Sequence, residues 1–204
     1  PGAVFGAPYP AYGLRAGRVL GPAPLMGSGA ASLTVGVAIT VPDPWGEELQ
    51  ELRASFGDRL AWTVPTHITL LPPTQVSSHR LSVVDDHLRQ LVQTTEGFEV
   101  TLAGTDTFRP VSQTSFVAVT EGAERCAQLA DRVRSGPLRR SLLFPYHPHV
   151  TIAVELADEA HDVAERRLAE FALRFDVSQI ERYELAEHGV WESVREFGLA
   201  GRHG

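Results

Sequence analysis

Two stretches decide how this chain is read: Pro65-Thr66-His67-Ile68-Thr69-Leu70-Leu71 and Tyr146-His147-Pro148-His149-Val150-Thr151-Ile152-Ala153. Each contains a tetrad in which a histidine and a threonine alternate with apolar residues, His67-Ile68-Thr69-Leu70 and His149-Val150-Thr151-Ile152. Successive side chains of a strand point to opposite faces, so His67 and Thr69 share one face while Ile68 and Leu70 turn the other way into a core. The second tetrad repeats the arrangement. One such triplet among eight histidines would carry little weight. Two, each on a strand-like run and each with a proline at most two residues before it, ask for a common explanation.

The surrounding sequence is also duplicated. Residues 33–41 are rich in β-branched side chains and read as a buried strand. Pro42-Asp43-Pro44 then opens a helix whose apolar positions Trp45, Leu49, Leu52 and Phe56 fall at helical spacing, with Gly57 at its end. A strand over 67–71 stopped by Pro72-Pro73, a helix over 80–93 and an alternating strand over 98–108 complete a β-α-β-α-β set. The second half repeats this order: strand 115–120, helix 123–134, strand 149–154, helix 158–171, then strand-like runs at 173–184 and 190–199. Val37-Ala38-Ile39-Thr40 aligns with Val117-Ala118-Val119-Thr120, as the two tetrads do with each other. The expectation is an α+β fold of two pseudo-symmetric lobes, about 33–108 and 113–199, within one bilobal domain over 33–199. Neither lobe buries a sheet well alone, so two sheets packed face to edge are expected, with helices outside and a cleft between. Residues 200–204 read as a tail.

Residues 1–32 are rich in Pro, Gly and Ala and read as a leader or added extension, with Met26 as a natural start. The string Gly27-Ser28-Gly29-Ala30-Ala31-Ser32 looks like a dinucleotide loop, but it precedes a strand instead of opening a helix and fails that test.

Composition narrows the chemistry. The chain has 204 residues, with 25 acidic against 18 basic side chains and a net charge of −7. Every basic residue is arginine. Without lysine there is no Walker A loop, no Schiff base and no lysyl-nucleotide ligase intermediate; without asparagine there is no N-glycosylation site. An acidic balance without a basic block argues against gripping long duplex nucleic acid. The single cysteine, Cys126, forms no internal disulfide and reads as a helix core residue. No apolar run approaches a membrane span. The expected setting is a monomer in the cytoplasm, with a small or local partner.

If the two tetrads face each other across the cleft, two imidazoles and two hydroxyls surround one small volume. An imidazole titrates near neutrality, so one can accept a proton while the other donates one. That pairing activates an attacking oxygen and protonates a leaving one. Threonine hydroxyls can hold non-bridging phosphate oxygens without adding formal charge. The scheme suits phosphodiester chemistry and calls for no metal and no cofactor.

At this point the tetrads, their separation and the repeated framework resemble the two-histidine phosphoesterase superfamily, which includes bacterial RNA 2′,3′-cyclic phosphodiesterases long labelled 2′-5′ RNA ligases. The resemblance covers about residues 33–199. It implies antiparallel-rich sheets flanking the cleft and metal-independent hydrolysis or transfer at a cyclic or 2′-5′ phosphodiester of a small nucleotide or RNA end. His67 and His149 would be the acid-base pair, and Thr69 and Thr151 the phosphate donors. The roles are assigned as His67 acid and His149 base, an order the sequence itself leaves open.

Further candidates are weaker. Arg109, at the end of the strand pairing the lobes, is a substrate contact or a surface arginine. Tyr146, with Phe144, could stack a base; Tyr183 and Trp191 divide between cleft and core in the same way. Arg139-Arg140 could steer an anion or simply be solvated. Glu165-Arg166-Arg167 and Asp85-Asp86 read as exposed helix faces. His147 could share the face of His149 as a substrate contact or, with His67, form a metal site, although no carboxylate or cysteine completes the set. The alternatives to an enzyme of this kind are a binding module for nucleotide or RNA ends without turnover, and a histidine-metal hydrolase.

Overall fold

The computed structural model describes residues 31–201. Their elements run β1 (Ser32–Thr40), α1 (Trp45–Ser55), β2 (His67–Ser77), α2 (Leu81–Gln93), β3 (Phe98–Thr107), β4 (Thr114–Glu121), α3 (Ala123–Val133), β5 (His149–Val154), α4 (Asp158–Arg167), β6 (Ala172–Val177), β7 (Gln179–Leu185) and β8 (Trp191–Gly198). The α+β architecture is the expected one: antiparallel strands with helices outside. Met26 and most of the glycine-rich string lie outside the described residues, and Ser32, assigned above to the leader, already opens β1.

The strands form one sheet in the order β6-β3-β4-β5-β2-β1-β7-β8, not two. Its halves, β6-β3-β4-β5 and β2-β1-β7-β8, join through the single pair Ile68 and Val150 of β2 and β5. Nor are these halves the contiguous segments 33–108 and 113–199. β3 pairs with β4 and β6, whereas β7 and β8 build onto β1. The first stretch of sequence thus lends β3 to the other half, and the second lends β7 and β8.

One continuous apolar core lies on the helix-covered face. Ile68, Leu70, Val150 and Ile152 are fully buried there, together with Leu49 of α1, Leu88 of α2, Leu129 of α3 and Ala164 of α4. The alternation that sends these residues inward turns the intervening His and Thr side chains to the opposite face.

Three local readings need correction. β2 does not stop at Pro72-Pro73 but continues to Ser77. Val35 of β1 pairs with Thr74 and Val37 with Leu71, so the two prolines sit opposite Gly36 alone, in a bulge that makes no demand on their missing N–H groups. The fourth helix ends at Arg167, and a turn carries the chain to β6 at Ala172. The pair Asp85-Asp86 is not an exposed face throughout: Asp85 is buried, accepts a hydrogen bond from Arg182 Nε at 2.8 Å, and lies 2.9 Å from an Arg195 terminal nitrogen.

Candidate active site

The site is built where the two halves meet. Ile68 faces Val150 in antiparallel register, so His67 is carried toward Thr151 and Thr69 toward His149, all on the face away from the helices. The next strands outward are also related: Ala38 pairs with Thr69 and Thr40 with His67 on one side, Phe116 with Thr151 and Ala118 with His149 on the other. A cavity of about 250 Å³ opens on this face, and His67, Thr69, His149 and Thr151 all line it. The expected convergence of the two tetrads is therefore observed.

The imidazoles are held in the same way. Nδ1 of His67 lies 2.7 Å from the carbonyl oxygen of Pro65, and Nδ1 of His149 lies 2.7 Å from that of His147. A carbonyl can only accept, so Nδ1 carries the proton in each neutral ring and Nε2 is left unprotonated. The residue two places before each histidine thus sets its tautomer, and the prolines flanking the tetrads hold those segments extended.

Burial pushes the His149 imidazole down to about 4; its hydrogen bond to the His147 carbonyl opposes that, and the charges of His147 and His67 add to the lowering. His67 is also lowered, chiefly by burial; its hydrogen bond to Pro65 opposes that, Arg53 adds to it and Glu181 works against it. His149 is therefore neutral at pH 7. The rings of Phe108 and Phe116 stand 5.1 Å from that of His149 and fix its plane.

Of the other candidates, Tyr146 and His147 do line the cavity. The Tyr146 hydroxyl donates to the Thr69 carbonyl at 2.8 Å, and its ring lies beneath the Arg134 guanidinium, 4.9 Å away. His147 precedes β5, because Pro148 begins no ladder pairing, and its ring packs edge-on to Phe108 at 5.5 Å. Tyr183 and Trp191 are buried and form the cavity wall beyond Ala38. Arg140 reaches the Pro73 carbonyl at 3.0 Å and so braces the bulge in β2.

Arg109 does not line the cavity. Its guanidinium is engaged by Asp162 at 2.7 Å and Glu165 at 2.8 Å on α4. Glu165 in turn accepts from Ser115, at 2.5 Å, so it is a half-buried partner and not part of a solvated charge run. Cys126 is fully buried, and burial pushes its thiol up to about 12. Among the described residues, no three His, Cys, Asp or Glu side chains are grouped so as to hold a metal ion, and His67, His147 and His149 form no such set.

Two charged lining residues are not among the candidates read from the sequence, Arg53 and Arg134. Both carry a detectable signal: a charged residue in line with the buried stripe of a helix, four places after Leu49 within α1 in one case and four after Ala130, at the C-terminal cap of α3, in the other. Asp and Glu are absent from the lining. In a chain of net charge −7, the cavity has two guanidiniums, three imidazoles and no carboxylate.

Fold and site together define a two-histidine protein of the phosphoesterase type. The chain belongs to the 2′-5′ RNA ligase superfamily, whose family model matches residues 41–189. A Bacillus licheniformis relative with a provisional phosphoesterase name is 32% identical over 118 residues, 56% of this chain and 69% of that one. A similarly named protein of Halalkalibacterium halodurans is 26% identical over 172 residues, 82% of this chain and 98% of its own length. In fold, the chain is similar to E. coli LigT crystallised with NADP+, with a TM-score of 0.61 and 19% identity over 83% of this chain and 99% of that one. It is likewise similar to a Thermus thermophilus protein, TT0787, with a TM-score of 0.58 and 22% identity over 83% and 100% of the two chains.

Proposed function

We propose that this chain is a metal-independent phosphodiesterase that hydrolyses a 2′,3′-cyclic phosphate or a 2′-5′ phosphodiester on a small nucleotide or RNA end. The observation that carries the reading is the meeting of two His-Thr pairs in a cavity free of carboxylates. An anionic phosphodiester is favoured there, and a cavity this small suits a nucleotide end better than a long polyanion. Structures of E. coli LigT with 3′-AMP and with NADP+ lend support from proteins of the same fold. The working unit is the bilobal domain over about 33–199, acting as a monomer in the cytoplasm.

In this scheme Thr69 and Thr151 donate their hydroxyl protons to the non-bridging oxygens. Neutral His149 takes a proton from water at Nε2 as the water oxygen bonds to phosphorus. His67, protonated at Nε2, gives its proton to the departing ribose oxygen as the P–O bond breaks, and the product is a phosphomonoester. The bound anion raises the His67 pKa, so the substrate itself helps to charge the acid. Each proton transfer contributes about 10²- to 10⁴-fold.

The test is a screen of 2′,3′-cyclic nucleotides, ADP-ribose cyclic phosphate and 2′-5′-linked oligomers against wild type, His67→Ala and His149→Ala, with excess chelator present. Turnover by wild type and a loss of at least about 10²-fold in each variant are expected. Full activity in either variant, abolition by the chelator, or ligand that binds but is recovered unchanged would refute it.

A further inference from the structure

Arg53 has been placed only on the cavity wall. It lies on α1, one turn after the fully buried Leu49, and is itself 5% exposed. Gly57, with φ of +98°, reverses the chain after the helix and returns Asp58 to the Arg53 guanidinium. Nε and one terminal nitrogen of Arg53 donate to a single oxygen of Asp58, at 3.2 and 2.7 Å, while the other Asp58 oxygen accepts the Leu60 N–H at 2.9 Å. The second terminal nitrogen of Arg53 has no hydrogen-bond partner among the described residues, and it is not sealed from solvent. The cavity's other guanidinium differs: Arg134 donates to the Leu70 carbonyl at 3.0 Å through one terminal nitrogen and to Asp131 at 2.6 Å through the other.

We propose that Arg53 is an anion-binding residue of the cavity, its open terminal nitrogen donating to an anionic oxygen of the bound phosphate ester beside His67. Three features carry this. A buried ion pair costs desolvation and is weak evidence for a stabilising role, so a buried arginine with a donor left over points to use elsewhere. Asp58 fixes the guanidinium by its far edge and thereby aims the remaining nitrogen. The tetrads supply donors without formal charge, so Arg53 adds a permanent positive charge whose hydrogen-bonding capacity is not already spent. Its charge is close enough to His67 to be felt there. The inference rests on the phosphodiesterase reading above and adds a residue to it.

The test measures binding of adenosine 2′-monophosphate and adenosine 3′-monophosphate by calorimetry at fixed ionic strength, for wild type, Arg53→Gln, Arg53→Lys and Asp58→Asn. Arg53→Gln is expected to weaken binding about tenfold or more, Arg53→Lys to recover part of the loss, and Asp58→Asn to lose less than Arg53→Gln because the charge stays. Should Arg53→Gln not fold, a crystal structure of wild type with either nucleotide decides: an Arg53 terminal nitrogen within hydrogen-bond distance of the phosphate supports the assignment, and its absence overturns it. Equal affinity in wild type and Arg53→Gln, or equal losses in Arg53→Gln and Asp58→Asn, reduces Arg53 to a structural partner and leaves the phosphodiesterase reading intact. A wild type that binds neither nucleotide and cleaves no cyclic phosphate overturns both.

Discussion

The hydroxyl of Tyr146 donates to the backbone carbonyl of Thr69, tying the segment that enters the second tetrad to the strand that carries the first. The tie matters because β2 and β5 share only one bridge pair, Ile68 and Val150, so the sheet alone fixes the spacing of the two histidines weakly. Arg134, stacked over the Tyr146 ring and bonded to the Leu70 carbonyl, braces the same contact. Tyr146→Phe keeps the ring and removes the donor. It should lower kcat about tenfold while KM stays within about threefold, since a small misplacement of catalytic groups is felt mainly in the transition state. One lost hydrogen bond costs about 0.5–1.5 kcal/mol. The melting temperature should therefore fall by only about 1–6 °C. A proportional rise in KM with unchanged kcat would instead mark Tyr146 as a substrate contact.

Acid-base roles set the pH profile. His149 must be neutral, which holds above about 4, and His67 must be protonated, which in the free enzyme holds below a pKa that lies under 6.5. The profile of kcat/KM should thus be a bell on the acid side of neutrality, rising near pH 4 and falling before pH 6.5. The bound anion raises the His67 pKa, so the falling limb of kcat should lie at higher pH than that of kcat/KM. Coincident limbs would argue against an anionic substrate beside His67.

The same burial links pH to stability. The folded state holds His149 at about 4 against 6.5 when unfolded, so between these values the unfolded chain binds more protons. The contribution from His149 is fully present above pH 6.5 and is lost as pH falls toward 4. Thermal melts of wild type and His149→Gln at about pH 7 and about pH 4.5 should show a smaller acid-induced drop in the variant. An equal drop would assign the acid sensitivity to other groups.

The tetrads and their strands were legible because alternation of His, apolar and Thr side chains is a local signal, and so was the duplicated order of elements. The exchange of β3 for β7 and β8 between the halves was not, because strand pairing is long-range and adjacent stretches such as 33–108 look self-sufficient. Pro72-Pro73 misled because proline usually ends a strand, whereas its position opposite Gly36 makes it the bulge. Arg109, Asp85 and Glu165 were misread for a related reason: their partners lie dozens of residues away, on α4, β7 and β4 respectively. Arg53 could have been found, since an arginine on an apolar stripe needs a partner and Asp58 is near in sequence.

Gly36 offers a steric test of the cavity wall. A Cβ there would meet the Trp191 ring at 3.3 Å and the Leu71 carbonyl at 3.5 Å, opposite the proline bulge. The indole has to move, and it is part of the wall formed with Tyr183 and Ala38. Gly36→Ala should leave a folded protein about 1 kcal/mol less stable. KM should rise several-fold as the wall shifts, with a smaller change in kcat. Gly36→Val, with two further methyl groups, should be severely destabilised. Unchanged KM in Gly36→Ala would show that the Trp191 wall takes no part in holding substrate.

Arg109 separates structure from catalysis. It joins the end of β3 to α4 through Asp162 and Glu165, and Glu165 also accepts from Ser115, which bonds to the buried His161 at 2.8 Å. Arg109→Ala leaves Glu165 half-buried without its cation beside this cluster, a loss of about 1–2 kcal/mol after allowance for solvent around Asp162. The melting temperature should fall by about 2–8 °C. Because the side chain stands away from the cavity, kcat and KM measured well below the melting transition should each stay within about threefold of wild type. A selective rise in KM with stability unchanged would return Arg109 to the substrate contacts and require α4 to release it when ligand binds.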